Sequence, residues 1–213
     1  MSDRKPKKKA QKEIVKESFF KKYLLFIDIL MILVFFVIWK LLWPNYISFL
    51  VAFVLIIAYI FSTKRNPLIF ALIIAGIISV IWMLFNKEQY GYNQEFGSIF
   101  GISIYPLFWW AFGLFLTYLI YTNCEKELKN KSFFVKLIVF ALIYWPLLIL
   151  TETMMYHIFN VHNDTNAGYE GLPFCDCIHA PRWMQAVYFL LGPLFFSVVY
   201  LFNKYKKTKI RED

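Results

Sequence analysis

The stretch Pro67–Phe85 reads PLIFALIIAGIISVIWMLF and contains no charged residue. Five further stretches that are mainly apolar lie along the chain of 213 residues, and polar segments separate them. A bilayer core about 30 Å thick is crossed by about 20 apolar residues in a helix, because backbone groups in lipid must be hydrogen-bonded internally. The predicted spans are Tyr23–Trp43, Tyr46–Ser62, Pro67–Phe85, Ile102–Thr122, Phe133–Tyr156 and Trp183–Asn203.

Positive charge alternates between the segments that separate these spans. Of 23 lysine and arginine residues, all but Lys40, Lys87 and Arg182 fall in segments that would face one side. The positive-inside rule places that side, with both termini, in the cytoplasm. The predicted fold class is therefore all-α, a polytopic membrane bundle of six helices, and the predicted location is the plasma membrane.

The predicted organisation has a central membrane domain and two basic tails. Residues 1–22 are expected to form a disordered cytoplasmic tail that only sets topology, the alternative being a tail that lies against anionic headgroups. Residues 23–203 form the transmembrane domain, and residues 204–213 form the second cytoplasmic tail. The net charge of +9 is therefore attributed to residues that orient the chain in the membrane. The sequence predicts no nucleic-acid partner. Membrane lipid is the expected surrounding partner.

The loop between the last two spans holds most of the chain's chemically versatile side chains. His157–Arg182 reads HIFNVHNDTNAGYEGLPFCDCIHAPR and contains all three histidines and two of the three cysteines. Loops this long are uncommon between packed helices unless they are functional. The sequence therefore predicts that a site lies on the non-cytoplasmic face.

Cys175, Cys177 and His179 are spaced at intervals of two residues. In an extended strand they would share one face, where a soft metal could bind two thiolates and an imidazole. Two alternatives stay open. The cysteines could form a disulfide across a very small ring, or they could be free thiols that pack within the loop.

Two carboxylates fall within predicted spans, where an ionisable group is a functional hypothesis by default. Glu152 is the stronger candidate, because Tyr156 follows one helical turn later and His157 is close in sequence. Its alternative is a rim carboxylate that pairs with Arg182 or faces the water of the headgroup region. Asp28 is expected to extend toward its basic flank, Lys21 and Lys22.

The stretch Trp82–Trp110 has a distinctive order of residues. A tryptophan near a span end is followed by Tyr90-Gly91-Tyr92-Asn93, a glycine-containing connector and Pro106 opening the next span. This order resembles the three-helix lycopene cyclase domain of carotenoid biosynthesis, which implies an isoprenoid substrate. That family has paired glutamates after its Pro-Leu, whereas Phe108 and Trp109 follow Pro106-Leu107 here.

These observations lead to three functional hypotheses. The first is an intramembrane enzyme for an isoprenoid, carotenoid or other lipid, with Glu152 as general acid or base and His157 as its partner. Its predicted substrate-binding residues are His162, Asp164, His179, Arg182 and Trp183. The second is a non-catalytic scaffold, partner subunit or lipid-binding protein that docks a protein or a second copy through the loop. The third is a thiol-redox protein that uses Cys175 and Cys177. The sequence specifies no organic cofactor.

Overall fold

The structure is a computed structural model that describes residues 23–42, 47–93 and 97–212, with side chains to residue 206. These residues contain six α-helices in succession: α1 Leu24–Leu41, α2 Ile47–Ser62, α3 Pro67–Asn86, α4 Ile104–Tyr121, α5 Phe133–His157 and α6 Arg182–Glu212. A two-stranded antiparallel hairpin, β1 Ser98–Ile99 and β2 Ile102–Ser103, lies between α3 and α4. Short 3-10 turns occur at Lys87–Gln89, Thr122–Cys124 and Asp164–Asn166.

The helices correspond to the predicted apolar stretches, and the all-α class is confirmed. Five of them are long and apolar enough to cross a bilayer, whereas the apolar α2 has 16 residues and is shorter. At 1.5 Å per residue α2 is about 24 Å long. Large apolar side chains such as Leu33, Phe85 and Leu142 are exposed, as expected where lipid replaces water. The chain therefore has the character of a multi-pass integral membrane protein.

The boundaries differ from the prediction at a few places. The last helix begins at Arg182 and continues to Glu212, well past Asn203, because the polar tail that follows the span still forms intrahelical hydrogen bonds. Trp43 and Tyr46, at the predicted junction of the first two spans, lie outside the described residues. The predicted tail at residues 1–22 also lies outside them.

Helix α4 is the centre of the bundle. It packs against α1, α3, α5 and α6, and most of its side chains are buried. Aromatic residues supply much of this packing; Phe115 and Phe112 are buried inside the bundle, and Phe140 of α5 is fully buried beside Tyr118 and Tyr121. Because α4 borders four other helices, side chains along it determine which spaces inside the bundle stay open.

The two segments predicted to lie on the non-cytoplasmic side pack on each other. The Asn93 amide donates to the His162 carbonyl over 3.0 Å, and the His162 amide donates to Asn93 Oδ1 over the same distance. Asn163 and Asn166 each donate a side-chain hydrogen bond to the Gln89 carbonyl, at 2.8 and 2.9 Å. Together these bonds join the connector after α3 to the long loop after α5.

The long loop then folds back onto the helix ends. Cys177, Ile178 and Ala180 are buried beside Trp82 and Met184. Gln185 of α6 donates to the carbonyls of Glu170 and Ile178, at 2.9 and 3.0 Å. The loop is thus an ordered cover held by side chains of α6.

Candidate functional site

A cavity of about 160 Å³ lies inside the bundle, beneath the folded-back loop. Its walls come from α1, α4, α5 and α6 and from the two paired segments above them. This volume is close to that of an engineered cavity of about 150 Å³ that takes up benzene. The space is large enough for a compact organic group.

Glu152 is the only carboxylate among the described residues that line this cavity. It lies on α5 five residues before the end of that helix, about 7.5 Å along the axis at 1.5 Å per residue. No described residue gives its carboxylate a hydrogen bond or an ion pair. A carboxyl group held in apolar surroundings without a partner is costly, and such groups mark functional sites.

The walls of the cavity are strongly aromatic. Six tyrosines border it: Tyr90, Tyr92, Tyr105, Tyr144, Tyr156 and Tyr188. Trp109 and Trp110 of α4 complete the aromatic lining near Glu152. Burial raises the pKa of Tyr90 and of Tyr92 above the ordinary tyrosine value, so both phenols are neutral at physiological pH.

Several of these phenols are held by hydrogen bonds within the wall. The Tyr90 hydroxyl accepts from Trp82 Nε1 at 2.7 Å and from Trp110 Nε1 at 3.1 Å. It also lies 2.8 Å from the Tyr188 hydroxyl. Tyr144 donates to the Tyr188 carbonyl over 2.7 Å. Because these polar ends are engaged with one another, the rings are fixed in place around the cavity.

One polar donor in the lining has no described partner. The buried Trp109 Nε1 makes no hydrogen bond to any described residue. Buried N–H groups are normally satisfied, so this donor is an exception among the lining residues. The cavity itself combines one acceptor carboxylate with several aromatic rings.

All three histidines gather around a single tyrosine ring at the upper end of the cavity. The rings of His162 and His179 stack on Tyr156, with centroid distances of 4.3 and 4.7 Å. His157 meets the same ring edge-on at 5.1 Å. His179 is held in place by the carbonyls of Tyr169 and Asp176, at 2.8 and 3.2 Å from its two ring nitrogens.

The structure separates the predicted catalytic pair. Glu152 and Tyr156 are one turn apart and both border the cavity, whereas His157 does not border it. His157 instead lies within 2.8 Å of the Cys175 carbonyl through Nε2. Five residues along a helix correspond to about 140° of rotation, which points Glu152 and His157 in different directions.

The predicted substrate-binding residues lie at different depths. His179 borders the cavity, and His162 lies one layer above, stacked on Tyr156. Asp164 is exposed at the start of a 3-10 turn. Arg182 is exposed and pairs with Glu170 at 2.9 Å, rather than with Glu152. Trp183 is about half exposed, with its ring centroid 6.4 Å from that of Trp82.

Cys175 and Cys177 are joined in a disulfide, one of the alternatives that the sequence left open. In this form neither sulfur is available as a thiolate ligand. The described residues also contain no group of three or more His, Cys, Asp or Glu side chains arranged to hold a metal ion. A metal site at Cys175, Cys177 and His179 would require the disulfide to be reduced, and it stays a prediction.

Sequence reasoning missed most of the aromatic lining, although a helical pattern indicates it. Tyr144, Leu148, Glu152 and Tyr156 recur every four residues and share one face of α5. Along α4 the lining runs from Tyr105 through Trp109 to Ile120. Each pattern is visible in the sequence, but only the packing shows that the two faces meet.

Comparisons with protein-family models, with curated proteins and with solved structures found no match to this chain.

Proposed function

We propose that this multi-pass membrane protein is an intramembrane enzyme that acts on an apolar, lipid-derived substrate, with Glu152 as general acid or base. The observation that carries the proposal is the position of Glu152, which borders an aromatic cavity inside the bundle and has no described partner. A positioned acid or base typically contributes about 10²- to 10⁴-fold to a reaction rate. The apolar surroundings of the cavity suit a substrate that arrives from the bilayer.

The other parts of the site would have supporting roles. Tyr156 and His179 border the cavity and would position the substrate beside Glu152. His157 would hold the long loop against α5 through its contact with the Cys175 carbonyl. This role differs from its predicted role as a direct partner of Glu152. The histidine layer and the disulfide loop would keep water away from the reacting group.

The test compares lipid extracts of cells that produce the wild-type chain, Glu152→Gln or Glu88→Gln. Glu88 is an exposed glutamate predicted to lie on the same side of the membrane and serves as the matched control. We expect a lipid product in cells with the wild type and with Glu88→Gln, and its loss with Glu152→Gln at equal protein level. A lipid profile that is the same for all three chains contradicts catalysis by Glu152.

A second candidate is a non-catalytic lipid-binding or partner protein. Phe174, at the tip of the long loop, is fully exposed, and Phe100 in the turn of the hairpin is almost so. Exposed aromatic side chains of this kind are typical of contacts with a membrane surface or with another protein. Unchanged cellular lipids together with a lipid or protein that copurifies with the wild type, and is lost on Phe174→Ser, would favour this second function.

A further inference from the structure

The cavity has an unusual balance of charge. Among the described residues its lining includes the carboxylate of Glu152 but no lysine and no arginine. Tyr90 and Tyr92 remain neutral, and His179 directs its ring nitrogens at the carbonyls of Tyr169 and Asp176, 3.4 Å from the Asp176 carboxylate, so any charge on its ring is already paired. No lysine, arginine or unpaired histidine of the described lining therefore compensates Glu152, so a bound ligand is the natural source of a positive charge.

The walls themselves favour a cation. Ring faces of tyrosine and tryptophan attract cations through their quadrupole, and the attraction is larger where water is excluded. The phenols of Tyr90, Tyr144 and Tyr188 are occupied by hydrogen bonds within the wall, which leaves the rings rather than the hydroxyl groups to meet a ligand. An aromatic enclosure with one carboxylate is the arrangement that recognises quaternary and tertiary ammonium groups.

A metal cation fits this site less well than an organic one. Calcium takes six to eight oxygen ligands, and magnesium requires octahedral coordination. Glu152 is the single carboxylate in the described lining, and no cluster of three metal-ligating side chains occurs in the described part of the chain. An ammonium group needs only one counter-charge and apolar contact with its methyl groups.

The shape of the cavity adds a second constraint on the ligand. Its lining follows α4 from Tyr105 to Ile120, about 22 Å at 1.5 Å per residue. Beyond the aromatic end, the walls are mainly aliphatic, with Leu116 of α4, Leu147 of α5 and Ile32 of α1. A ligand with a compact charged end and an apolar chain would match both parts.

We propose that the cavity binds a compact organic ammonium cation, with the charged group between Glu152 and the tyrosine and tryptophan rings and any apolar chain along α4. The inference rests on the proposed function in taking the cavity as a ligand site. It adds that the ligand carries an ammonium group at one end, with an apolar chain where the ligand is derived from a lipid.

The test uses the full-length chain in nanodiscs of uncharged lipid. Binding is followed by tryptophan fluorescence and by the shift in unfolding temperature. One pair of probes is choline and its carbon isostere, in which a tert-butyl group replaces trimethylammonium. The other pair is hexyltrimethylammonium and its carbon isostere with the same replacement. The first pair represents a soluble cation and the second a lipid-like one, so the pair that binds identifies the source of the ligand.

We expect the charged member of at least one pair to bind roughly tenfold or more tightly than its neutral counterpart. We also expect Glu152→Gln to remove that preference and Glu88→Gln to keep it. The comparison within each pair on the wild-type chain does not depend on how well Glu152→Gln folds.

Two outcomes would overturn the inference. Equal binding of the charged and neutral probes would show that the cavity binds ligands but has no preference for cations. The proposed enzymatic function would be unaffected by this result. Failure of all four probes to bind would also reject the ammonium ligand, while the lipid product that depends on Glu152 would still decide the proposed enzymatic function. The lipid analysis tests the enzymatic function and the probe binding tests the ammonium ligand, so either proposal can be rejected without the other.

Discussion

Arg65 Nη1 lies 2.7 Å from Oδ1 of Asp28, and the Asp28 side chain is completely buried. Arg65 occupies the turn between α2 and α3, whereas Asp28 lies on α1, so the ion pair joins separate elements of the bundle. Asn123 donates to the second Asp28 oxygen over 2.7 Å, and Tyr59 and Thr122 complete the network. Asp28 is thus paired inside the protein, whereas Lys21 and Lys22, toward which it was expected to extend, lie outside the described residues.

Breaking this pair on one side should strongly destabilise the bundle. Asp28→Asn removes the negative charge and leaves Arg65 mostly buried without its counter-charge, which typically costs about 3–5 kcal/mol. The measurement is the unfolding free energy in mixed micelles. Asp28→Leu combined with Arg65→Met should recover much of the loss, because the buried charges are then removed together. A single variant as stable as the wild type would contradict a role for the pair in stability.

The predicted topology can be tested by labelling single cysteines in intact cells, in a background in which Cys124, Cys175 and Cys177 are replaced by serine. Gly168 and Asn130 are both exposed in the structure. An added Cβ at Gly168 meets nothing within 4 Å. We expect an impermeant maleimide to label Gly168→Cys and to leave Asn130→Cys unlabelled until the cells are lysed. Labelling of Asn130→Cys in intact cells would reverse the orientation inferred from charge.

The disulfide predicts a count of reactive thiols. The chain has three cysteines, and Cys124 is the one that is not in the disulfide. Denatured protein prepared without reductant should gain one maleimide by mass spectrometry, and reduced protein should gain three. Cys177→Ser is the control and should gain two labels in either case. Three labels without reductant would mean that the thiols are free in the cell.

Gly192 should tolerate no larger side chain, because its Cα packs against the ring of Tyr144, one of the cavity walls. A Cβ at Gly192 would collide with this ring, whereas a Cβ at Gly76 on α3 would meet nothing within 4 Å. Overpacking of this kind typically costs about 1–3 kcal/mol. We expect Gly192→Ala to lower the unfolding temperature and Gly76→Ala to leave it unchanged or raise it. Equal effects of the two variants would show that Tyr144 can move freely.

The sequence predicted the elements of the fold well because lipid imposes a simple rule on them. A segment in lipid that must satisfy its backbone hydrogen bonds by itself has one regular solution, the helix. Runs such as Pro67–Phe85 and Phe133–Tyr156 therefore indicate their own structure. The concentration of His and Cys in His157–Arg182 likewise identified the loop that covers the cavity.

The arrangement of the site depended on contacts between segments far apart in the sequence. Nothing near Asp28 in the chain indicates Arg65, because a turn between two other helices brings the guanidinium to it. In the same way, Glu152 was recognised as an intramembrane carboxylate, but its surroundings come from α4, α6 and the connector at Tyr90. Sequence alone determined which segments are helical and which residues have side chains suited to catalysis or ligand binding. Tertiary packing decided which of them meet, since helix rotation and side-chain volume are set by all neighbours at once.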